Sequence, residues 1–143
     1  MNSVLYCLHN LSQKSHLRRM EKFTQHGDTS CLLHTIAVAY YSIKIAEFFG
    51  IKYKKRDLIR GALLHDYFLY DWHDGKGRHF HGFTHPGCAK RNAEMDYTLS
   101  PRVKNIIARH MFPLTPVPPT CTEAWIVCIA DKICAIEETL FRR

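Results

Sequence analysis

The sequence contains four side chains whose types together suit a metal ion: His34, His65, Asp66 and Asp131. Asp131 directly follows the apolar run 126–130, in the most hydrophobic helix that the sequence predicts. Burying a carboxylate in such a helix costs free energy unless a cation or strong hydrogen-bond donors compensate it. Imidazole nitrogens and carboxylate oxygens together suit zinc, iron, manganese and similar ions. The four residues therefore predict a divalent-metal site.

Each of these residues, taken alone, also has a purely structural explanation. A single histidine on an apolar helix face is more often a hydrogen-bonded core residue than a ligand. Asp131 alone has the alternatives of capping a loop or pairing with one of the 20 lysine and arginine side chains. His65 and Asp66 diverge by about 100 degrees on a helix, so they share an ion only at the helix edge between them. The metal interpretation rests on the four residues taken together, because they occur in this order and are distributed over separate predicted helices.

Hydrophobic periodicity at helical spacing dominates the sequence, and no stretch shows the sustained alternation that is typical of strands. Cap residues at 28–30 and Gly50 bound one helix, and Ser100 followed by Pro101 begins another. Four prolines within 113–119 exclude a helix there. The pattern predicts an all-α bundle of about six helices. They cover 11–26, 31–49, 55–68, 86–97, 101–111 and 122 to the end of the chain.

Length and composition suit one globular domain. The chain has 143 residues, of which 46% are hydrophobic, and a chain of this size can bury a substantial core. We expect a single domain over 1–143, in which residues 1–27 form an N-terminal packing helix and residues 28–143 carry the metal core. No apolar run reaches the roughly 18 residues that a membrane-spanning helix needs. The sequence therefore predicts a soluble, cytoplasmic protein with no membrane partner.

Charge and cysteine usage narrow the classes of partner. The formal net charge of +7 favours anionic partners such as nucleotides and phosphoesters. The basic run 52–56 is better explained as a solvated turn than as a nucleic-acid patch, so we expect no nucleic-acid partner. The 6 cysteines include no CxxC pair, which argues against a disulfide framework or a cysteine-rich zinc module. Homo-oligomerisation is left open.

The order of the four residues resembles a known family pattern. His34 is followed by Leu64-His65-Asp66 and then by Ile129-Ala130-Asp131-Lys132, which is similar to the H…HD…D pattern of the HD superfamily of metal-dependent phosphohydrolases. The resemblance covers most of the chain. It implies a helical bundle whose ligands converge on one or two divalent ions, of iron, manganese, zinc, cobalt or nickel. It also implies cleavage of a phosphoester of a nucleotide or of a small phosphorylated metabolite.

Two further histidines match the members of that superfamily that hold two metals. His85 ends a long loop, and His110 lies near the end of the predicted helix 101–111. The resemblance implies that both histidines bind a second ion and that Asp66 bridges the two ions, which makes Asp66 the candidate catalytic residue. The competing interpretation is that His85 and His110 contact substrate phosphate around a single ion.

One position departs from the family pattern. Many HD hydrolases have a lysine four residues after the histidine of the HD pair, where this chain has Leu69. The loop 71–85 that follows is rich in glycine, histidine and charge. Its candidate substrate-binding residues are Lys76, Arg78 and His81, because cationic groups bind phosphate well. Each of them has the alternative of being a solvated loop side chain.

The preferred hypothesis is a phosphohydrolase whose metal lowers the pKa of a bound water, giving hydroxide near neutral pH, and neutralises charge on the phosphoryl oxygens. Two other functions fit the same resemblance. One is a di-iron oxygenase of the HD type, which spectroscopy of the iron-loaded protein would reveal. The other is a non-catalytic module that senses a nucleotide, which the missing lysine favours and which would bind its ligand without releasing a product.

Overall fold

The computed structural model of the protein describes residues 2–12, 24–26, 29–67, 89–95 and 97–141. Its elements, in chain order, are α1 (Asn2–Ser12), β1 (Thr24–His26), β2 (Thr29–Ser30), α2 (Cys31–Phe48), α3 (Lys55–Leu64), α4 (89–95), α5 (Pro101–Arg109) and α6 (Thr122–Phe141). The predicted all-α class is confirmed, because helices make up nearly all of the described regular structure. β1 and β2 form only a short antiparallel ribbon, in which Thr24 pairs with Ser30.

Two helices are bounded by the cap residues that the sequence offers. After α2, Gly50 has a φ of 64°, the left-handed backbone in which glycine commonly ends a helix. The amide of Ile51 donates to the carbonyl of Ala46 at 2.9 Å and so occupies one of the last helical acceptors. At the start of α5, the Ser100 hydroxyl oxygen accepts from the amide of Val103 at 3.2 Å. Local side-chain chemistry therefore sets where both helices stop or start.

The bounds predicted for the first helix, 11–26, are wrong at both described ends. A helix already begins at Asn2 and includes Ser12, and Thr24–His26 is a β-strand. The physical reason is that Val4 and Leu11 lie two helical turns apart, on one face, and both are buried against the rest of the protein. The intervening residues 13–23 lie outside the described part of the chain.

The other predicted helices are found with somewhat shorter bounds. α3 ends at Leu64 rather than at 68, and 89–95 is the described helical part of the predicted 86–97. α6 runs over Thr122–Phe141, as the sequence predicted for the end of the chain. Residues 111–117 form turns and bends, which agrees with the exclusion of a helix by the prolines of that region.

α3 packs against four helices of the bundle, which are α1, α2, α5 and α6. α6 packs against α2, α3 and α5. Leu63 of α3, Ile106 of α5 and Val127 of α6 are fully buried in the core that these helices share. Although α6 is long, no helix in the described part of the chain combines the length and the apolar character needed to cross a membrane.

α3 and α5 approach each other closely at Gly61. A Cβ atom added at Gly61 would lie 2.9 Å from both Cβ and Cγ2 of Ile106, inside the distance at which carbon atoms pack. Only the absence of a side chain at this position allows the two helices their observed separation.

We expect Gly61→Ala to lower the free energy of unfolding by about 1–3 kcal/mol, the usual cost of overpacking a core. The sign is informative, because an alanine inside a helix normally gains about 1 kcal/mol over glycine. Urea denaturation followed by circular dichroism measures the change. In an Ile106→Ala background, which removes Cγ2 and Cδ1 but keeps the Cβ atom, the cost of Gly61→Ala should become smaller without disappearing. An equal cost in both backgrounds would contradict the close contact as its cause.

Candidate metal centre

Four elements of the bundle bring five histidine and aspartate side chains to one buried place. α2 carries His34 in its first turn, and the turn that follows α3 carries His65 and Asp66. His110 immediately follows α5, and Asp131 lies in the middle of α6. Their exposed fractions are 0% for each histidine, 1% for Asp66 and 8% for Asp131. The cluster is therefore part of the protein core and not a surface patch.

His34, His65, Asp66 and Asp131 form the tightest part of this cluster. One nitrogen or oxygen from each residue lies within 4.8 Å of the corresponding atoms of the other three. His34 Nε2 is 2.7 Å from Asp131 Oδ1, and His65 Nε2 is 3.2 Å from the same oxygen. Asp66 Oδ2 is 3.6 Å from His34 Nε2 and 3.4 Å from His65 Nε2. The structure thus brings together the four residues that the sequence singled out.

His65 and Asp66 reach the cluster from the end of α3. α3 stops at Leu64, His65 is its C-cap residue and Asp66 lies in the following turn. His65 keeps right-handed helical dihedrals, with a φ of −63° and a ψ of −26°, so the two side chains still diverge by about 100 degrees. The cluster therefore lies at the edge of the helix end, between the two side chains.

The outer nitrogens of the histidines are held by acceptors that face away from the cluster. His65 Nδ1 donates to the carbonyl of Ala62 at 2.6 Å, and His110 Nδ1 donates to the carbonyl of Ile107 at 2.9 Å. His34 Nδ1 donates to Glu138 Oε1 at 2.8 Å. A proton held on Nδ1 leaves Nε2 as the nitrogen whose lone pair can bind an ion. In all three rings Nε2 is the nitrogen that faces the aspartates.

Glu138 is the member of the cluster that sequence reasoning missed. It is 2% exposed and lies two helical turns after Asp131 on α6. The signal available in the sequence was a second acidic residue seven positions after the buried aspartate, on the same face of an apolar helix. Of these two carboxylates, only Asp131 is predicted from the sequence.

The pKa values of the clustered side chains are shifted because groups of opposite charge lie close together. Burial disfavours a charged His34, yet hydrogen bonds to Asp131 and Glu138 outweigh that cost and raise its pKa to about 10. Burial likewise opposes protonation of His65, but the charges of Asp66 and Asp131 raise its pKa. Burial would raise the pKa of Asp131, yet the adjacent His65 and His34 hold it well below its usual value. In the metal-free protein, protons on the imidazoles compensate the carboxylates.

His110 extends the cluster on the other side of Asp66. Its Nε2 is 3.5 Å from Asp66 Oδ1, whereas Asp66 Oδ2 faces His34 and His65. The rings of His65 and His110 are 4.7 Å apart between centroids. The two oxygens of one carboxylate therefore point toward different imidazoles.

A cleft of about 480 Å³ borders the cluster at Asp131. Its described lining comes from the turn after α5 and from α6, and consists of Met111, Pro113, Leu114, Asp131, Lys132 and Ala135. The Lys132 ammonium group donates to the carbonyl of His110 at 3.0 Å, so it lies beside the centre. A larger cavity, of about 850 Å³ between α1 and α3, includes no member of the cluster in its described lining.

Several residues predicted from the sequence lie outside the described part of the chain. They are the predicted second-metal ligand His85, the predicted substrate-binding residues Lys76, Arg78 and His81, and Leu69 in place of the family lysine.

The donor set fits a divalent ion. Ligand atoms that share one ion at about 2.0–2.2 Å lie roughly 3.0–3.6 Å from one another in tetrahedral or octahedral arrangements. Three of the contacts given above, at 3.2, 3.4 and 3.6 Å, fall in that range and exceed most hydrogen-bond lengths. Mixed nitrogen and oxygen ligands suit zinc, iron and manganese. Small side-chain adjustments would allow one ion to bind between the four residues.

Comparison with known proteins supplies the family. Residues 32–136 match the family model described as HD domain, a span that includes His34, both residues of the pair His65-Asp66, and Asp131. No curated protein and no solved structure matches the chain. The matched span covers well over half of the sequence and contains all four clustered residues. The chain belongs to the HD domain family.

Proposed function

We propose that this protein is a metal-dependent phosphohydrolase that cleaves a phosphoester of a nucleotide or of a small phosphorylated metabolite with metal-activated water. The observation that carries the proposal is the buried cluster of His34, His65, Asp66 and Asp131 inside an HD domain. Members of the HD domain family are mostly metal-dependent phosphohydrolases. Burying two aspartates beside three histidines costs free energy unless cations compensate the carboxylates.

The proposed roles follow the two sides of Asp66. His34, His65, Asp66 and Asp131 would hold one ion through the atoms that face each other in the cluster. Asp66 Oδ1 and His110 Nε2, which are 3.5 Å apart, would help to hold a second ion together with His85. A bound divalent ion lowers the pKa of water and neutralises negative charge on phosphoryl oxygens. Asp66 is the residue on which both ions would depend.

The charge balance of the cluster favours two ions over one during catalysis. Asp66, Asp131 and Glu138 together bring three negative charges into the core. A single divalent ion would leave these three carboxylates with a net charge of −1, which the Lys132 ammonium group beside the centre only neutralises, so the centre would not attract an anionic phosphoester. Two divalent ions would leave it net positive and attractive to such a substrate. Iron, manganese, zinc, cobalt and nickel all remain candidates for this donor set.

The cleft beside Asp131 is the proposed route for the substrate. Lys132 lines it and brings a positive charge next to the centre, which supports the binding of an anion there. Lys76, Arg78 and His81 of the loop 71–85 remain the proposed contacts to the phosphate from the other side.

We expect Asp66→Ala to abolish hydrolysis and to remove most of the bound metal, because both proposed ion positions use this carboxylate. The test combines metal analysis of the purified protein with a phosphoester panel in the presence of manganese, cobalt, iron or zinc. Glu47→Ala, which removes an exposed carboxylate from α2, is the matched control and should retain both properties. Normal hydrolysis by folded Asp66→Ala would refute the proposed function.

We expect His110→Ala to lose one equivalent of metal and to retain the other, because His110 approaches only the Oδ1 side of Asp66. The test is the metal content per chain, measured after equilibrium dialysis. His9→Ala, an exposed histidine on α1, should leave the metal content unchanged. Unchanged metal content in His110→Ala, with a weaker affinity for substrate, would support the alternative of a single ion with His110 on the phosphate.

Metal affinity should increase with pH over the neutral range. The raised pKa values of His34 and His65 mean that protons occupy the imidazoles that the ion needs, and a rise in pH removes this competition. We expect the apparent affinity for Mn²⁺ to rise by up to about tenfold per pH unit for each displaced proton. Calorimetric titrations between about pH 6 and 8, in buffers of different ionisation enthalpy, count those protons. An affinity that does not change with pH, together with no release of protons on binding, would contradict this account.

A further inference from the structure

The His34 ring is held at both of its nitrogens by carboxylates of α6. Nε2 is 2.7 Å from Asp131 Oδ1, and Nδ1 is 2.8 Å from Glu138 Oε1 and 3.1 Å from Oε2. His34 and Glu138 are both almost completely buried and lie 104 residues apart in the chain. Asp131 and Glu138 lie two turns apart on one helix, so their spacing brackets the imidazole between them. The orientation of the ring thus depends on α6 at both edges.

His34 differs from the other two histidines of the cluster in its outer partner. His65 and His110 each donate from Nδ1 to a backbone carbonyl three residues earlier. Those acceptors belong to the helix that immediately precedes the histidine, and they carry no net charge. His34 instead donates to a side chain from another helix, and that side chain is a carboxylate. A charged acceptor on Nδ1 increases the electron density that Nε2 can give to an ion.

Metal binding would change the two contacts of His34 unequally. An imidazole nitrogen and a carboxylate oxygen that bind the same ion no longer hydrogen-bond to each other. The contact between His34 Nε2 and Asp131 would therefore be lost, whereas the contact between Nδ1 and Glu138 would remain. In the metal-loaded protein, Glu138 would then be the side chain that keeps a hydrogen bond to the His34 ring.

From this geometry we infer that Glu138 is a positioning residue for the metal centre, an inference that rests on the proposed metal site. Glu138 keeps the proton on Nδ1, fixes the rotation of the His34 ring, and makes Nε2 a stronger ligand. It does not touch the ion or the substrate. It acts through His34, by the charge and the position of one carboxylate.

The two effects of Glu138 are separable by substitution. Glu138→Gln keeps an oxygen that can accept from Nδ1 but removes the charge, whereas Glu138→Ala removes both. Glu137→Gln is the matched control, because Glu137 is the preceding residue on α6 and its Oε2 accepts from the Tyr41 hydroxyl at 2.6 Å. Each full-length variant is stripped of metal and titrated with Co²⁺ against a chromophoric chelator. The visible absorption spectrum of bound Co²⁺ is recorded in the same titration.

We expect Glu138→Ala to bind Co²⁺ about 10–100-fold more weakly than the unaltered protein, the usual effect of losing such an outer partner. Glu138→Gln should show a smaller loss, and both variants should shift the Co²⁺ spectrum, since the ligand field at His34 changes. Glu137→Gln should match the unaltered protein in both readouts. A purely structural role for Glu138 would lower thermal stability without moving the spectrum or the affinity per folded molecule.

The possible failures are distinguishable. Unaltered affinity and spectrum in folded Glu138→Ala and Glu138→Gln would overturn the role of Glu138 and leave the metal site standing. If Glu138→Ala does not fold, as judged by circular dichroism, the same two readouts on Glu138→Gln decide the matter alone. Absence of Co²⁺ binding by the unaltered protein would instead overturn the proposed metal site and with it this inference.

Discussion

The structure depends on how three carboxylates are compensated inside a helical core. Asp66, Asp131 and Glu138 are each at most 8% exposed, and leaving such charges without cationic partners would cost several kcal/mol each. Histidines from α2 and from the ends of α3 and α5 supply that compensation. These contacts also join elements of the bundle, because His34 and His65 reach carboxylates of α6 and His110 reaches Asp66 beside α3. Folding and ion binding use one set of groups, so each is expected to influence the other.

Much of the architecture could be predicted from local sequence chemistry. Gly50 after α2 and Ser100 before α5 are caps whose effect extends over only one turn, which is why they locate helix ends well. The cluster of His34, His65, Asp66 and Asp131 could also be proposed, because polar residues inside apolar helices need a shared explanation. The family match over residues 32–136 agrees with that reasoning.

Other features depend on tertiary packing, and the sequence alone could not supply them. The early start of α1 could not be predicted, because it depends on the burial of Val4 in the core that the helices share. Glu138 was missed because an acidic residue near the end of a helix usually faces solvent. Its importance becomes apparent only when α2 is placed beside α6. The outer hydrogen bonds of the histidines are likewise invisible before the helix ends are known.

The close approach of α3 and α5 has a consequence for the centre that lies beyond it. Gly61 and Ile106 each precede a histidine, His65 and His110, by one helical turn. The separation between the two imidazole rings therefore depends on the contact one helical turn earlier, where the hydrogen atom of Gly61 faces the branched side chain of Ile106. A bulkier residue at position 61 would push the rings apart while leaving every donor atom chemically intact. The spacing of the imidazole rings thus depends on hydrophobic packing at residues that bind no ion. A list of the ligand residues alone does not include this constraint.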